Sequence, residues 1–131
     1  MAAITLLLDT HALLWWLFDD PRLSSAARSA IRDPQNKVIV SAASAWEIAT
    51  KHRLGRLPEA GDVPARLPHY LHRARFSVLN ISLEHAMAAG ALPGPHKDPF
   101  DRMLVAQARI EDLAVVTTDQ AFRDCGVAVI W

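Results

Sequence analysis

Four carboxylates, Asp9, Glu47, Asp101 and Asp119, sit where this chain could do chemistry. Asp9 ends the apolar run Ile4 to Leu8 and precedes a second one, Ala12 to Phe18. A carboxylate between a buried strand and a buried helix is costly unless it is paired or binds a cation. In open α/β sheets that position is also where ligands bind, outside the carboxyl ends of the strands. Asp119 follows another short apolar run. Glu47 falls in the first two turns of a helix, and Asp101 in the first turn of a helix opened by Asp98-Pro99. In a parallel sheet, residues that follow strands gather at one edge. Asp9 and Asp119 are therefore expected as neighbours, with Glu47 facing them. Asp101 joins them if its helix opens at the same edge.

Helix capping is the competing explanation for each acid taken alone. Asp119 has the position of an N-cap. Asp101 stands three residues after Asp98, and Glu47 three after Ser44, the capping-box distance. Acids also favour helix N-termini through the dipole. Capping does not account for four acids set to converge with no evident Lys or Arg between them. Close carboxylates repel, and one is driven to protonate unless a cation neutralises them. An all-oxygen cluster suits a hard ion, Mg²⁺ or Mn²⁺. Such an ion activates water and stabilises charge on a phosphoryl group. On this reading Asp9 is the first ligand of an acidic metal site.

The elements that must position these acids alternate in type. Strands are predicted at 4–8, 38–40, 77–81, 113–117 and 127–130. Helices are predicted at 12–18, 26–32, 42–54, 83–91 and 100–112, with a short one from Asp119 to Cys125. Ser24-Ser25, Ser41, Ser82 and Asp98 open helices. Pro34, Gly55 and Pro93-Gly94-Pro95 close them. The buried stripe of helix 42–54 is read as Ala45, Ile48, Ala49 and His52. Four punctuating residues, Pro58, Gly61, Pro64 and Pro68, leave 58–76 without a predicted topology, apart from a short amphipathic helix suggested by Leu67 and Leu71. The alternation argues for an α/β fold of three layers, a central parallel sheet flanked by helices, in one domain over 1–131.

Composition narrows the class. Hydrophobic residues make up 51% and charged residues 21%, which fits a globular chain rather than a disordered one. Net charge is zero, so the total points to no polyanionic partner. Its distribution does: six Lys or Arg against two acids lie between Lys51 and Arg75. Lys51, Arg53 and Arg56 are the candidates for a nucleic-acid phosphate backbone, with a solvated helix face as the equal alternative. The single cysteine, Cys125, excludes an internal disulfide and a thiolate metal cluster and fits a reducing cytoplasm. The first apolar run lacks the basic flank of a signal peptide, and Asp9 at its centre argues against a membrane span.

The motifs carry a resemblance. Leu7-Leu8-Asp9-Thr10-His11-Ala12-Leu13-Leu14-Trp15, Ser41-Ala42-Ala43-Ser44-Ala45-Trp46-Glu47-Ile48, Asp98-Pro99-Phe100-Asp101-Arg102-Met103-Leu104-Val105-Ala106-Gln107-Ala108 and Val116-Thr117-Thr118-Asp119 occur in this order. Together they resemble the PIN-domain family and, within it, the small ribonuclease toxins of bacterial VapBC toxin–antitoxin pairs. The resemblance covers essentially the whole chain. It implies a doubly wound fold and metal-dependent endonucleolytic cleavage of RNA with water as nucleophile. Asp9, Glu47, Asp101 and Asp119 match the family's acidic metal-binding set, with Asp9 and Asp101 the first choices as ligands. Asp98 is read as the N-cap. Thr117 or Thr118 is expected to hold Asp119 or a water. Arg102, beside Asp101, is a candidate for the scissile phosphate, with a surface ion pair as its alternative. The implied partners are RNA, a separate VapB-type antitoxin bound along an apolar groove, and a second copy in a homodimer.

Two other classes compete. A strand-ending Asp9 would suit a phosphoacceptor, but the phosphatase pattern wants a second Asp where His11 stands. A receiver domain wants a late strand-end Lys, and no Lys follows Lys97. A binding module with all four acids as caps predicts no metal binding, and only a stability effect from Asp9→Asn.

Overall fold

The computed structural model describes residues 3–94 and 97–131; Pro95, read above as part of a helix stop, lies outside them. Five strands form one parallel sheet: β1 (Thr5–Leu8), β2 (Lys37–Ser41), β3 (Ser77–Leu79), β4 (Ala114–Val116) and β5 (Val129–Ile130). Their order is β3-β2-β1-β4-β5. The chain builds outward from β1 in one direction, then returns to its other side for β4. The order therefore reverses between β1 and β4, and a crevice opens there beyond the strand ends.

Period-two alternation sorts β1 between two cores. Leu6 and Leu8 point into one, with Val38, Val40 and Val116. Leu7 points into the other, with Ile39 and Val115. The first core is covered by α1 (Thr10–Leu17), α2 (Ser25–Arg32) and α4 (Val63–Ala74), through Leu13, Ile31, Leu67 and Leu71 among others. The second is covered by α6 (Pro99–Glu111) and α7 (Ala121–Asp124), through Leu104, Val105, Ala108 and Phe122. Helix α3 (Ala42–Arg53) contributes Ile48 to the first and Ala43 to the second. This is the expected three-layer α/β arrangement, and no helix of the described residues is long and apolar enough to cross a membrane.

Helix α5 (Leu83–Ala91) is fastened to α6 rather than to the sheet. The Arg102 guanidinium donates to the carbonyls of Ala89 (3.1 Å), Gly90 (3.3 Å) and Leu92 (2.5 Å), the C-terminal end of α5. At the other end, buried His85 accepts the Ser82 amide on Nδ1, and its Nε2 lies 3.0 Å from Glu111.

Residues 58–76 hold more helix than the sequence suggested. Pro58–Ala60 forms one 3₁₀ turn, and α4 follows. Pro64 lies in the first turn of α4, where a missing N–H is tolerated. Pro68 lies inside it, and the backbone kinks at Arg66 (φ −129°, ψ 23°). The buried stripe of α3 also differs from the expected one. It is Ala43, Ser44, Glu47 and Ile48, while Ala49 and His52 are exposed. The apolar residues misled because a charged residue occupies the inward face.

A candidate metal centre at the reversal of strand order

Asp9 occupies the first residue after β1, and its amide donates to the Val116 carbonyl at the end of β4 (3.1 Å). It therefore stands at the reversal point. Its Oδ1 accepts the Ala12 amide at 2.8 Å, which makes Asp9 the N-cap of α1 and starts that helix at Thr10 rather than Ala12. Burial pushes the Asp9 carboxyl above the usual carboxylate range. The Thr117 hydroxyl, the Ala12 amide and the His11 charge pull it down, and the neighbouring Glu47 charge pushes it up again. Burial wins. An acid capping a helix with nothing else to do would be left in water; this one is held out of it.

Glu47 is buried on α3, and its charge bears on Asp9. Its Oε1 accepts the Thr10 hydroxyl at 2.6 Å, and its Oε2 is ion-paired with Lys51, one turn on. Ser41 is the N-cap of α3, so Ser44 and Glu47 form no capping box. Lys51 is the partner the sequence reading did not find, although a Glu–Lys pair at i, i+4 is the favoured order on a helix. Ser44, three residues before Glu47 on the same helical face, is buried with a hydroxyl that meets no partner.

Asp119 approaches through Thr117. The buried Thr117 hydroxyl bonds Asp9 and also accepts the Asp119 amide at 3.0 Å, so one side chain links the two acids. Asp119 Oδ1 accepts the Ala121 amide at 2.9 Å just ahead of α7, whose N-cap position is Gln120 rather than Asp119. Thr118 is exposed and lines a cleft of about 340 Å³ with His11, Trp15, Phe18, Arg22 and Glu59. Asp98 is the N-cap of α6, accepting the amides of Phe100 (2.8 Å) and Asp101 (3.2 Å). Asp101 lies in the first turn of α6. The Phe100 ring next to it meets Trp46, the neighbour of Glu47, edge-on at 4.9 Å. The N-terminus of α6 thus lies against α3 close to Glu47.

The Glu47 charge bears on Asp9, Thr117 stands between Asp9 and Asp119, and Asp101 follows Phe100 at the place where α6 meets α3. Among the described residues, no three or more Asp, Glu, His or Cys side chains are arranged to hold a metal ion. The donor chemistry nevertheless suits a hard cation. Asp9 and Glu47 are buried carboxylates, Thr117 adds a hydroxyl, and the Ser44 hydroxyl lacks the partner that a buried polar group needs.

The candidate phosphate-binding residues separate in the structure. Arg53 and Arg56 are exposed just past the site on α3 and the turn after it. Lys51 is engaged with Glu47. Arg102, a candidate for the scissile phosphate or a surface ion pair, directs its guanidinium to the carbonyls at the end of α5. His11, beside Asp9, is exposed, with its ring 5.7 Å from that of Trp15.

The PIN domain family model matches residues 6–127. The chain belongs to the PIN domain family. Among PIN relatives it is 33% identical over 120 residues to Ribonuclease VapC22 of Mycobacterium tuberculosis, covering 91% of this chain and 90% of that one. It is 35% identical over 79 residues to Ribonuclease VapC16 of the same organism, a match spanning 57% of this chain and 56% of VapC16. Its PIN fold superposes with a TM-score of 0.69, at 14% identity, on a chain of VapBC2 from Rickettsia felis bound to a DNA fragment from their promoter. That alignment covers 96% of this chain and 97% of the other.

Proposed function

We propose that this PIN protein is a metal-dependent endoribonuclease, the toxin of a VapBC-type pair, hydrolysing RNA phosphodiester bonds with water. The observation that carries the reading is the position of Asp9. It is buried at the reversal of strand order, with Glu47 facing it and Thr117 linking it to Asp119. Its similarity to two proteins named ribonucleases supports the choice of RNA.

Asp9 and Asp101 would hold Mg²⁺ or Mn²⁺, with Glu47 and Asp119 binding the same ion, a second ion or its water. When bound, the ion would activate a water molecule and stabilise charge on the phosphoryl group. The chain's own contribution is placement. Capping of α1 fixes the Asp9 carboxylate, Thr10 fixes Glu47, and Thr117 sets the spacing of Asp9 and Asp119. Arg53 and Arg56 supply positive charge for the RNA backbone. The partners on this reading are RNA, a small separate antitoxin and a second copy of the chain, in the cytoplasm.

The test is cleavage of total cellular RNA by purified protein with Mg²⁺ or Mn²⁺, with EDTA, and with Asp9→Asn. Discrete products that need metal and vanish in the variant are expected. No metal-dependent cleavage, from folded protein free of any copurified chain, would overturn the metal reading and leave Asp9 as the N-cap of α1.

A further inference from the structure

We infer that Lys51 is an internal stand-in for the divalent ion: its ammonium neutralises Glu47 in the ion-free protein, is displaced when metal takes that carboxylate, and then pairs with the phosphodiester. This rests on the metal-dependent reading above.

Both oxygens of Glu47 are occupied, Oε1 by the Thr10 hydroxyl at 2.6 Å and Oε2 by Lys51 Nζ. The two partners differ in freedom. Thr10 is buried in the first turn of α1, whereas the Lys51 side chain is 32% exposed against 6% for Glu47. Lys51 reaches in from the rim on a flexible four-carbon stem and carries a compact, strongly hydrated charge. Glu47 is therefore fixed through Oε1, and Oε2 is the oxygen it can give up.

Charge makes the exchange competitive. The Glu47 charge bears on Asp9, and two close carboxylates need a cation between or beside them. Among the described residues, the ion pair to these two acids comes from Lys51. A divalent ion on the same carboxylate repels that ammonium, so each weakens the binding of the other by the same factor. The displaced ammonium stays tethered at the rim. As a mobile point charge with three donors it suits a phosphate oxygen arriving there.

The experiment is a calorimetric titration of Mn²⁺ into the full chain, as wild type, Lys51→Met, Lys51→Arg and Asp9→Asn, with circular dichroism to check each fold. Lys51→Met is expected to bind Mn²⁺ about tenfold more tightly than wild type, in the range by which groups around metal ligands tune affinity. Lys51→Arg should not tighten it. A second readout needs no variant at this position: the Lys51 ¹³Cε and ¹⁵Nζ resonances should move with Mg²⁺ in wild type. In Glu47→Gln without metal they should already stand at the displaced position. The KM for an RNA oligonucleotide should rise in Lys51→Met even as metal affinity improves. Equal or weaker Mn²⁺ binding by Lys51→Met, with wild-type binding that Asp9→Asn abolishes, would overturn this inference alone. Absence of Mn²⁺ binding from wild type and Lys51→Met alike would overturn the metal reading and this inference with it.

Discussion

The Thr10 hydroxyl donates a buried 2.6 Å hydrogen bond to Glu47 Oε1, tying the first turn of α1 to the second turn of α3. The bond holds a carboxylate in place from a helix that β1 itself positions. Thr10→Val keeps the shape and removes the donor. It leaves a buried carboxylate oxygen unsatisfied, at a cost of about 1–3 kcal/mol. Chemical denaturation should show that loss, and metal-dependent cleavage should fall with it.

Asp9→Asn separates stability from activity. Asparagine is as good an N-cap as aspartate, so the bond from the Ala12 amide survives. The buried charge does not. The ion-free variant is expected to be more stable than wild type by about 1 kcal/mol, within the ordinary range for single substitutions. Thermal unfolding with and without Mn²⁺ checks this. The ion should raise the wild-type midpoint and leave that of Asp9→Asn unchanged.

Arg102 and the pair Arg53 and Arg56 should behave oppositely. Arg102→Ala uncaps α5, costing about 1–2 kcal/mol in stability as its charge-assisted bonds disappear, with RNA affinity unchanged. Arg53→Ala with Arg56→Ala should leave stability intact and weaken RNA binding. The salt dependence of binding would flatten by about 0.7 in slope for each single-strand phosphate that is no longer neutralised. Anisotropy titrations at several salt concentrations, made with an inactive variant, distinguish the two.

Asp20 contributes to the acid-side pH dependence. Hydrogen bonds from the Arg22 side chain, then its amide, hold the Asp20 carboxyl down to about 2 from an ordinary 3.8. A depressed carboxylate stabilises the fold fully above 3.8, and that contribution is lost as pH falls toward 2. A carboxyl NMR titration of Asp20 should give that low midpoint, and Arg22→Gln should return it to the ordinary range. The same guanidinium lies 5.0 Å over the Trp15 ring, so Trp15 emission should report its loss.

What could be read from the chain followed from how local each signal was. The strands at Leu6, Val38, Val78, Val115 and Val129 showed through their apolar runs, and the caps at Ser24, Ser41, Ser82 and Asp98 through single residue types. The parallel sheet followed from alternation, but the reversal between β1 and β4 depends on pairing between distant segments. Helix α4 was obscured because its two prolines read as breaks, and the fold absorbs one in the first turn and one at a kink. At the site, Asp9 stood out because a charge interrupted a buried run. Lys51 and Thr10 were passed over as partners of Glu47: one is a helix-surface lysine by spacing, and the other touches Glu47 across 37 residues. Arg102 misled because its neighbour in sequence is an acid, while its guanidinium belongs to the end of another helix.

The bond from the Asp9 amide to the Val116 carbonyl joins the first strand to one near the end of the sequence. A chain leaving the ribosome N-terminus first presents Asp9 and Glu47 long before β4 exists to flank them. Thr117 and Asp119 arrive later still. Such distant pairings form late because the chain between must first be closed into a loop. A nascent chain in which the segment through Asp119 has not yet emerged therefore carries no finished site. On the ribonuclease reading proposed here, competence to cut waits on the pairing of β4 beside β1.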